Sequence, residues 1–424
     1  MTKPEIGFVG LGAMGFGMAT HLTKQGYRVH GFDAFAASVD RFAQAGGQPA
    51  ASLGASAKDK QFYICMVATA QQAQKAIFGK DGIAHSLPNK AILLLCSTVP
   101  ASYAISASEQ FATQYPEKEI LLVDCPVSGG TKKAAEGTLS IMAGASDEAI
   151  DRTRFLLEEM SDTKEDKLYI VPGGVGAGSN MKMVHQVLAA IHVLGAGEAM
   201  GFAARLGLNG DQTYASILQS DAWTWMFENR TPRMLSEQWS PEVSASATTI
   251  MLKDVGIVTL TARSHSFPMP LASTAEQVYL SAVSQGLGSY DDSIMLRQYF
   301  PASVRRVEQT DAQNIHLVQD LMRGINLCAA VEAISFARSL NVDLQMYYKL
   351  VTNAAAASRV FTTDGLGLIQ GKTATALEGT GVIDKLQTAT QKARDLNCPL
   401  YLGNAALTVL ELAKRKGTIA KVFE

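Results

Sequence analysis

Residues 5–33, EIGFVGLGAMGFGMATHLTKQGYRVHGFD, constrain the fold more than any other stretch of the chain. An apolar strand from Ile6 to Val9 runs into Gly10-Leu11-Gly12-Ala13-Met14-Gly15. A helix to about Lys24, a stop at Gly26 and a second strand ending in Asp33 follow. Each glycine has a mechanical role: Gly10 makes the tight turn, Gly12 lets backbone approach a pyrophosphate, and Gly15 allows helix–strand contact. The helix start then offers free N–H groups and partial positive charge to phosphates. A Gly-x-Gly-x-x-Gly run alone also marks plain turns. Here strand, motif, helix, strand and acid occur in order, which reads as dinucleotide binding. Asp33, 18 residues after Gly15, is placed to accept ribose hydroxyls. Its carboxylate repels a 2′-phosphate and no Lys or Arg follows before Arg41, so NAD is expected over NADP.

Strands and helices keep alternating to about Val171, which implies a mostly parallel sheet covered on both faces, a doubly wound Rossmann-type α/β domain. Ligands of such sheets sit beyond the carboxyl ends of the strands. Three strand ends stand out there: Val67-Ala-Thr69, Cys96-Ser-Thr98 and Asp124-Cys-Pro-Val-Ser128-Gly129-Gly130. The last can present consecutive backbone N–H groups and a hydroxyl to an anion, or be a loop of small residues. Beyond Pro172–Gly174 the pattern is almost wholly helical, which sets a domain boundary near 173.

The stretch Gly176–Leu208 reads as one long helix, with Met181, Val184, Leu188, Ile191, Phe202 and Leu206 at helical spacing. Small residues fill its other positions. Each internal glycine weakens a helix by about 1 kcal/mol, so its stability must come from close packing. Lys182 lies just inside its start, with His185 and Gln186 three and four residues on, on the same face. Alone, Lys182 reads as a solvated helix-start lysine and Lys253-Asp254 as a surface pair.

A net charge of -2 gives no electrostatic footprint for nucleic acid or an anionic membrane. The longest apolar runs are broken by Gly, His or Gln, so no membrane span is expected. The five widely spaced cysteines suit reduced thiols in a cytoplasmic protein, not a disulfide framework or a metal site.

Four motifs in order, GFVGLGAMG (7–15), DCPVSGG (124–130), GAGSNMKMVHQ (176–186) and LKDVG (252–256), resemble the β-hydroxyacid dehydrogenase family, which includes 3-hydroxyisobutyrate and L-threonate dehydrogenases. The resemblance spans residue 5 to about 296. It implies Lys182 as general acid/base. Ser128, Gly129 and Gly130 would hold the substrate carboxylate. Val67 would contact the cofactor, Thr98 would line the nicotinamide site, and Lys253 would reach the cofactor from the helical domain. Many members carry Asn where this chain has His185-Gln186. Either residue can hydrogen-bond a substrate hydroxyl, and the combination resembles the L-threonate branch, so the implied substrate is a small hydroxy acid or sugar acid. A lysine near its ordinary pKa of about 10.4 is a poor base at neutral pH, so the role calls for burial. An imine or aldehyde reductase of the same fold and a catalytically silent NAD-binding assembly protein are the competing readings.

From Val318 the helical pattern returns. Val184, Ile191, Glu198, Phe202 and Leu206 match Val318, Ile325, Glu332, Phe336 and Leu340, and Pro268, Leu271 and Gly286 match Pro399, Leu402 and Gly417. This reads as an internal duplication, giving domains at 1–173, 174–299 and 300–424, with Asp291–Asp311 as a charged linker. The chemistry does not repeat: His316, Gln319 and Asp320 replace Lys182, His185 and Gln186, and Asp384-Lys385 replaces Lys253-Asp254. One active site per chain follows, with the second copy as a built-in partner whose Ile325, Phe336 and Leu340 pack against Ile191, Phe202 and Leu206. A monomer or homodimer is expected.

Overall fold

The computed structural model describes residues 3–236, 246–305, 314–372, 381–417 and 422–423. The chain divides into two compact units, Met1–Lys182 and Met183–Glu424. The first contains strands β1 (Glu5–Val9), β2 (Arg28–Phe32), β3 (Gln48–Pro49), β4 (Phe62–Cys65), β5 (Ile92–Leu95) and β6 (Leu121–Asp124). They form one parallel sheet in the order β3-β2-β1-β4-β5-β6. Its crossover helices are α1 (Ala13–Lys24), α2 (Ala36–Gln44), α3 (Leu53–Ala57), α4 (Ala70–Phe78) and α5 (Ala101–Gln114). Alternate strand residues feed opposite cores, as a sheet covered on both faces requires. Phe8, Ile64, Leu94 and Val123 pack with Met18 and Leu22 on one face. Tyr63, Cys65, Leu93 and Leu95 pack with Ile77 and Phe111 on the other.

The expected single sheet is corrected beyond β6. β7 (Val127–Ser128), β8 (Ser140–Ala143) and β9 (Leu168–Ile170) make a second, three-stranded sheet, and β7 runs antiparallel to β8. The cause is local. Asp124 and Gly144 exchange backbone hydrogen bonds, and Gly129 and Gly130 take φ of 140° and 76° to turn the chain into α6 (Gly130–Glu136). Only glycine adopts such angles readily. A two-residue strand carries too little pattern to be read in advance. α7 (Asp147–Met160) closes this region, its start capped by the Ser146 hydroxyl.

α8 (Ala177–Arg205) links the units. It has the length and mean hydropathy (1.6) of a membrane span, and its apolar window is wholly buried inside the fold. α9 (Gly210–Leu218), α10 (Trp225–Met234), α11 (Thr248–Ser264) and α12 (Pro270–Ser284) follow. α13 (Ile315–Ser339), α14 (Leu344–Thr352), α15 (Arg359–Ile369), α16 (Val382–Asp395) and α17 (Tyr401–Lys416) come next, in the same succession of long and short helices.

Within the second unit the two series meet through reciprocal contacts. Glu198 of α8 is fully buried and accepts the Leu402 and Gly403 N–H groups at 3.0 and 2.8 Å, at the start of α17. Glu332 of α13 is equally buried and accepts the Leu271 and Ala272 N–H groups at 2.9 and 2.8 Å, at the start of α12. Neither helix start has a side-chain cap of its own. Each is capped from the other series, by a carboxyl group at the positive end of a helix. Burial pushes both carboxyls up to about 7 in spite of these donors. Thr224 and Ser358 form an antiparallel bridge, and each caps the helix that follows it, α10 and α15. Ile191, Phe202, Ile325 and Phe336 are fully buried, whereas Leu206 and Leu340 are only half-buried.

The linker expectation is also corrected. Asp291 and Asp292 are buried: Arg230 makes two bonds to the Asp292 carboxylate at 2.8 and 2.9 Å, and Arg233 meets Asp291 at 3.0 Å. A 3-10 helix, Asp292–Gln298, continues from them. Two consecutive acids read as solvated because their arginine partners lie about 60 residues upstream. The linker positions 306–311 lie outside the described residues.

Candidate active site

The dinucleotide loop is shaped by its glycines. A Cβ on Gly10 (φ 95°) would lie 2.2 Å from the Met66 carbonyl, and one on Gly15 would lie 1.8 Å from the Gly10 carbonyl, so neither tolerates a side chain. At Gly12 a Cβ would meet nothing within 4 Å. Gly12 is also the N-cap of α1 and offers no side-chain cap to the first-turn N–H groups of Ala13, Met14 and Gly15. The cradle fits a pyrophosphate. Asp33 accepts the Leu11 N–H at 2.7 Å and the Phe35 N–H at 2.9 Å, one on each oxygen. Each oxygen keeps a second lone pair, so ribose hydroxyls remain within its capacity. Arg41 donates to the Leu11 carbonyl at 3.1 Å and lies over the Phe16 ring at 4.0 Å, a brace on the loop that spacing did not reveal. The Val67 side chain borders Gly10, and its N–H donates to the Ser97 hydroxyl at 2.9 Å. Thr98 lies partly exposed just beyond β5.

Ser128 is buried in β7. Gly130 beside it has open space where a Cβ would sit, whereas a Cβ on Gly129 would strike the Lys133 side chain at 2.9 Å.

Asp124, at the end of β6, fixes the start of α8. One carboxylate oxygen accepts the N–H groups of Gly176 (3.1 Å) and Ser179 (2.7 Å), and the other accepts the Ser179 hydroxyl at 2.6 Å. Gly178 lies so close that a Cβ would be 2.3 Å from the Asp124 and Met142 carbonyls. Complete burial pushes the Asp124 carboxyl up to about 6 against the pull of its three donors. Lys182 follows Ser179 by one turn and is 5% exposed. The lysine thus stands on a helix end bolted to the sheet. It is a buried group, not the solvated lysine its position alone suggests.

His185, Gln186 and Asp254 are buried as well. The Gln186 amide nitrogen donates to Asp254 at 2.5 Å, so its oxygen faces His185 Nδ1 at 3.1 Å. That oxygen can only accept, which places a proton on Nδ1; in the neutral ring Nε2 is then the acceptor nitrogen. Asp254 also pairs with Lys253 at 2.9 Å. Both ends of Gln186 are therefore engaged within the protein, and the residue orients His185. The dinucleotide loop, the Ser128 turn and Lys182 belong to the first unit; His185, Gln186, Lys253 and Asp254 belong to the second. Asp124, Ser179 and Asp254 lie within the motifs quoted above, yet their bonds span 52 to 68 residues and no spacing rule announces them.

At the corresponding positions of the second helical series, His316, Asp384 and Lys385 are exposed. Gln319, which stands where α8 has His185, donates to the Ser216 hydroxyl of α9 at 2.9 Å.

Residues 5–174 match the family described as the NAD binding domain of 6-phosphogluconate dehydrogenase. Residues 176–299 and again 310–421 match the family described as NAD-binding of NADP-dependent 3-hydroxyisobutyrate dehydrogenase. An L-threonate dehydrogenase of Cupriavidus necator is 36% identical over 293 residues, covering 69% of this chain and 95% of its own. Its Escherichia coli K12 namesake is 33% identical over 294 residues, covering 69% and 94%. The crystal structure of a 3-hydroxyisobutyrate dehydrogenase from Salmonella typhimurium has a TM-score of 0.62 at 33% identity, over 70% of this chain and 99% of its own. A Plasmodium falciparum 6-phosphogluconate dehydrogenase has a TM-score of 0.66 at 14% identity, over 96% and 92%, a likeness of fold alone.

Proposed function

The chain belongs to the NAD-dependent β-hydroxyacid dehydrogenase family, and from that premise we propose that it oxidises a small polyhydroxylated acid of the L-threonate type, with Lys182 as general acid/base. The observation that carries this reading is the placement of Lys182: buried, on a helix start fixed by Asp124 and Ser179, one turn before a histidine of defined tautomer. Gly10 to Gly15 would hold the cofactor pyrophosphate, Asp33 the adenosine ribose, and Val67, Thr98 and Lys253 its remaining length. When bound, the nicotinamide supplies the hydride acceptor.

The chain's own residues do the rest. The Ser128 hydroxyl and the N–H groups of Gly129 and Gly130 fix the substrate carboxylate. Lys182 takes the proton of the substrate hydroxyl as the C–H bond breaks, a role that typically contributes 100- to 10,000-fold. His185 Nε2 accepts from a further substrate hydroxyl, and Gln186 and Asp254 hold the ring in that orientation. A buried acceptor penalises a substrate that lacks the matching hydroxyl, which favours a polyhydroxylated acid over an apolar one. Lys182 also supports oxidation of an alcohol over imine reduction, because the alcohol proton needs a base.

We assign residues 1–173 to cofactor binding, 174–299 to the catalytic helical copy and 300–424 to a second, non-catalytic copy within a monomer or homodimer. The test of function is NADH formation across a panel of C3–C6 hydroxy and sugar acids. L-Threonate-type acids should give a higher kcat/KM than 3-hydroxyisobutyrate. Turnover confined to 3-hydroxyisobutyrate, or none with any acid, would remove the substrate reading.

A further inference from the structure

We propose that Tyr347, in the second helical copy, is a positioning residue for the catalytic turn of α8. This rests on the reading of Lys182 as general acid/base. Tyr347 lies on α14, is fully buried, and donates its hydroxyl to the Val184 carbonyl at 2.9 Å. Val184 stands between Lys182 and His185. Its carbonyl already serves the α-helical ladder, and the carbonyl oxygen's second lone pair takes the tyrosine. The Tyr347 ring is held in turn, edge-on to Phe361 with centroids 5.7 Å apart. A rigid, buried donor from another element therefore grips the backbone of the turn that carries both proposed catalytic side chains.

The contact is not a by-product of the reciprocal packing. At the offset that pairs Glu198 with Glu332, the counterpart of Tyr347 is Thr213 of α9, whose hydroxyl donates to the carbonyl of Asn209, the N-cap of the same helix, at 2.8 Å. α9 does lie against α13 near the corresponding turn, through Ser216 and Gln319, but by a side-chain bond and beside an exposed His316. Capping glutamates and the Thr224–Ser358 bridge are shared by both copies. Among the described residues the tyrosine anchor is found on one side, the side that carries Lys182. The second copy has no counterpart of Lys182 and instead holds the first copy's lysine turn in place. Small displacements of a reacting group cost rate steeply, so loss of the anchor should register in turnover.

Tyr347→Phe removes the hydroxyl and keeps the ring. Tyr279→Phe is the comparator: Tyr279 also donates to an α8 carbonyl, Ala190 at 2.9 Å, but farther along the helix from Lys182. With L-threonate and NAD, Y347F should lower kcat about tenfold and displace the pH profile of kcat/KM, with KM for NAD unchanged. Y279F should leave that profile at wild type. In parallel, hydrogen exchange in peptides covering residues 180–190 should speed up in Y347F and not in Y279F. Should Y347F fold poorly, Phe361→Leu, which loosens the ring without removing the hydroxyl, should give the same direction in both measurements. Wild-type kcat, pH profile and exchange in Y347F would overturn the proposal. A fully active Lys182→Ala would instead remove the acid/base reading on which it rests, so the two failures are distinguishable.

Discussion

Glu332→Gln isolates one of the two reciprocal caps. Glu332 is fully buried, accepts two backbone N–H groups from the start of α12, and has its carboxyl pushed up from 4.5 to about 7 by burial. The folded state keeps a proton that the unfolded chain gives up between pH 4.5 and 7. Stability therefore falls as pH rises through that window and is level above it. At about 1.4 kcal/mol per pH unit, this one group lowers stability by about 3 kcal/mol across the window. Glu198 and Asp124 act in the same direction. His192, buried and pulled down to about 3, acts in the opposite one, adding stability as pH rises from about 3 to 6.5. The raw curve is thus composite, and the difference between wild type and E332Q is the informative quantity. Glutamine removes the titration and leaves a constant offset. Trp223 and Trp225 belong to the second unit and the third tryptophan, Trp239, follows them in sequence, so urea unfolding followed by tryptophan fluorescence is the assay. The wild-type advantage over E332Q should shrink by about 3 kcal/mol between pH 4.5 and 7.5. A difference that stays flat, or grows with pH, would refute the reasoning.

Three further outcomes are expected. Asp33→Ala frees the Leu11 N–H and removes the ribose acceptor, so KM for NAD should rise at least about tenfold with kcat little changed, and the preference for NAD over NADP should narrow; steady-state rates with each cofactor decide. Asp124→Asn turns an amide nitrogen toward the donors at the start of α8, which should cost about 2–4 kcal/mol in thermal unfolding of the first unit and lower kcat; unchanged values of both would mean the anchor is dispensable. His185→Asn should reduce the ratio of kcat/KM for L-threonate over 3-hydroxyisobutyrate, and an unaltered ratio would take His185 out of substrate selection.

Much of this molecule was legible because its chemistry lies in local motifs. Gly10 and Gly15 sit where a side chain would strike backbone and Gly12 where one would meet open space, as their spacing implies, and Lys182, His185 and Gln186 share a helix end. What escaped depends on contacts distant in sequence. Gln186 reads as a substrate ligand until Asp254, 68 residues on, claims its amide. Asp291 and Asp292 read as linker until Arg230 and Arg233 bury them. The matched pair Glu198 and Glu332, acids kept amid apolar helix positions, was visible as a pattern. That each caps a helix about 200 and 60 residues away was not. β7 was too short to show any period.

The central claim is that Lys182 moves the substrate proton. The direct measurement is kcat of Lys182→Ala with NAD and L-threonate, alongside NAD affinity from cofactor titration. A fall of about 100-fold or more with NAD affinity intact is expected. A variant that keeps a tenth or more of wild-type kcat would contradict the claim.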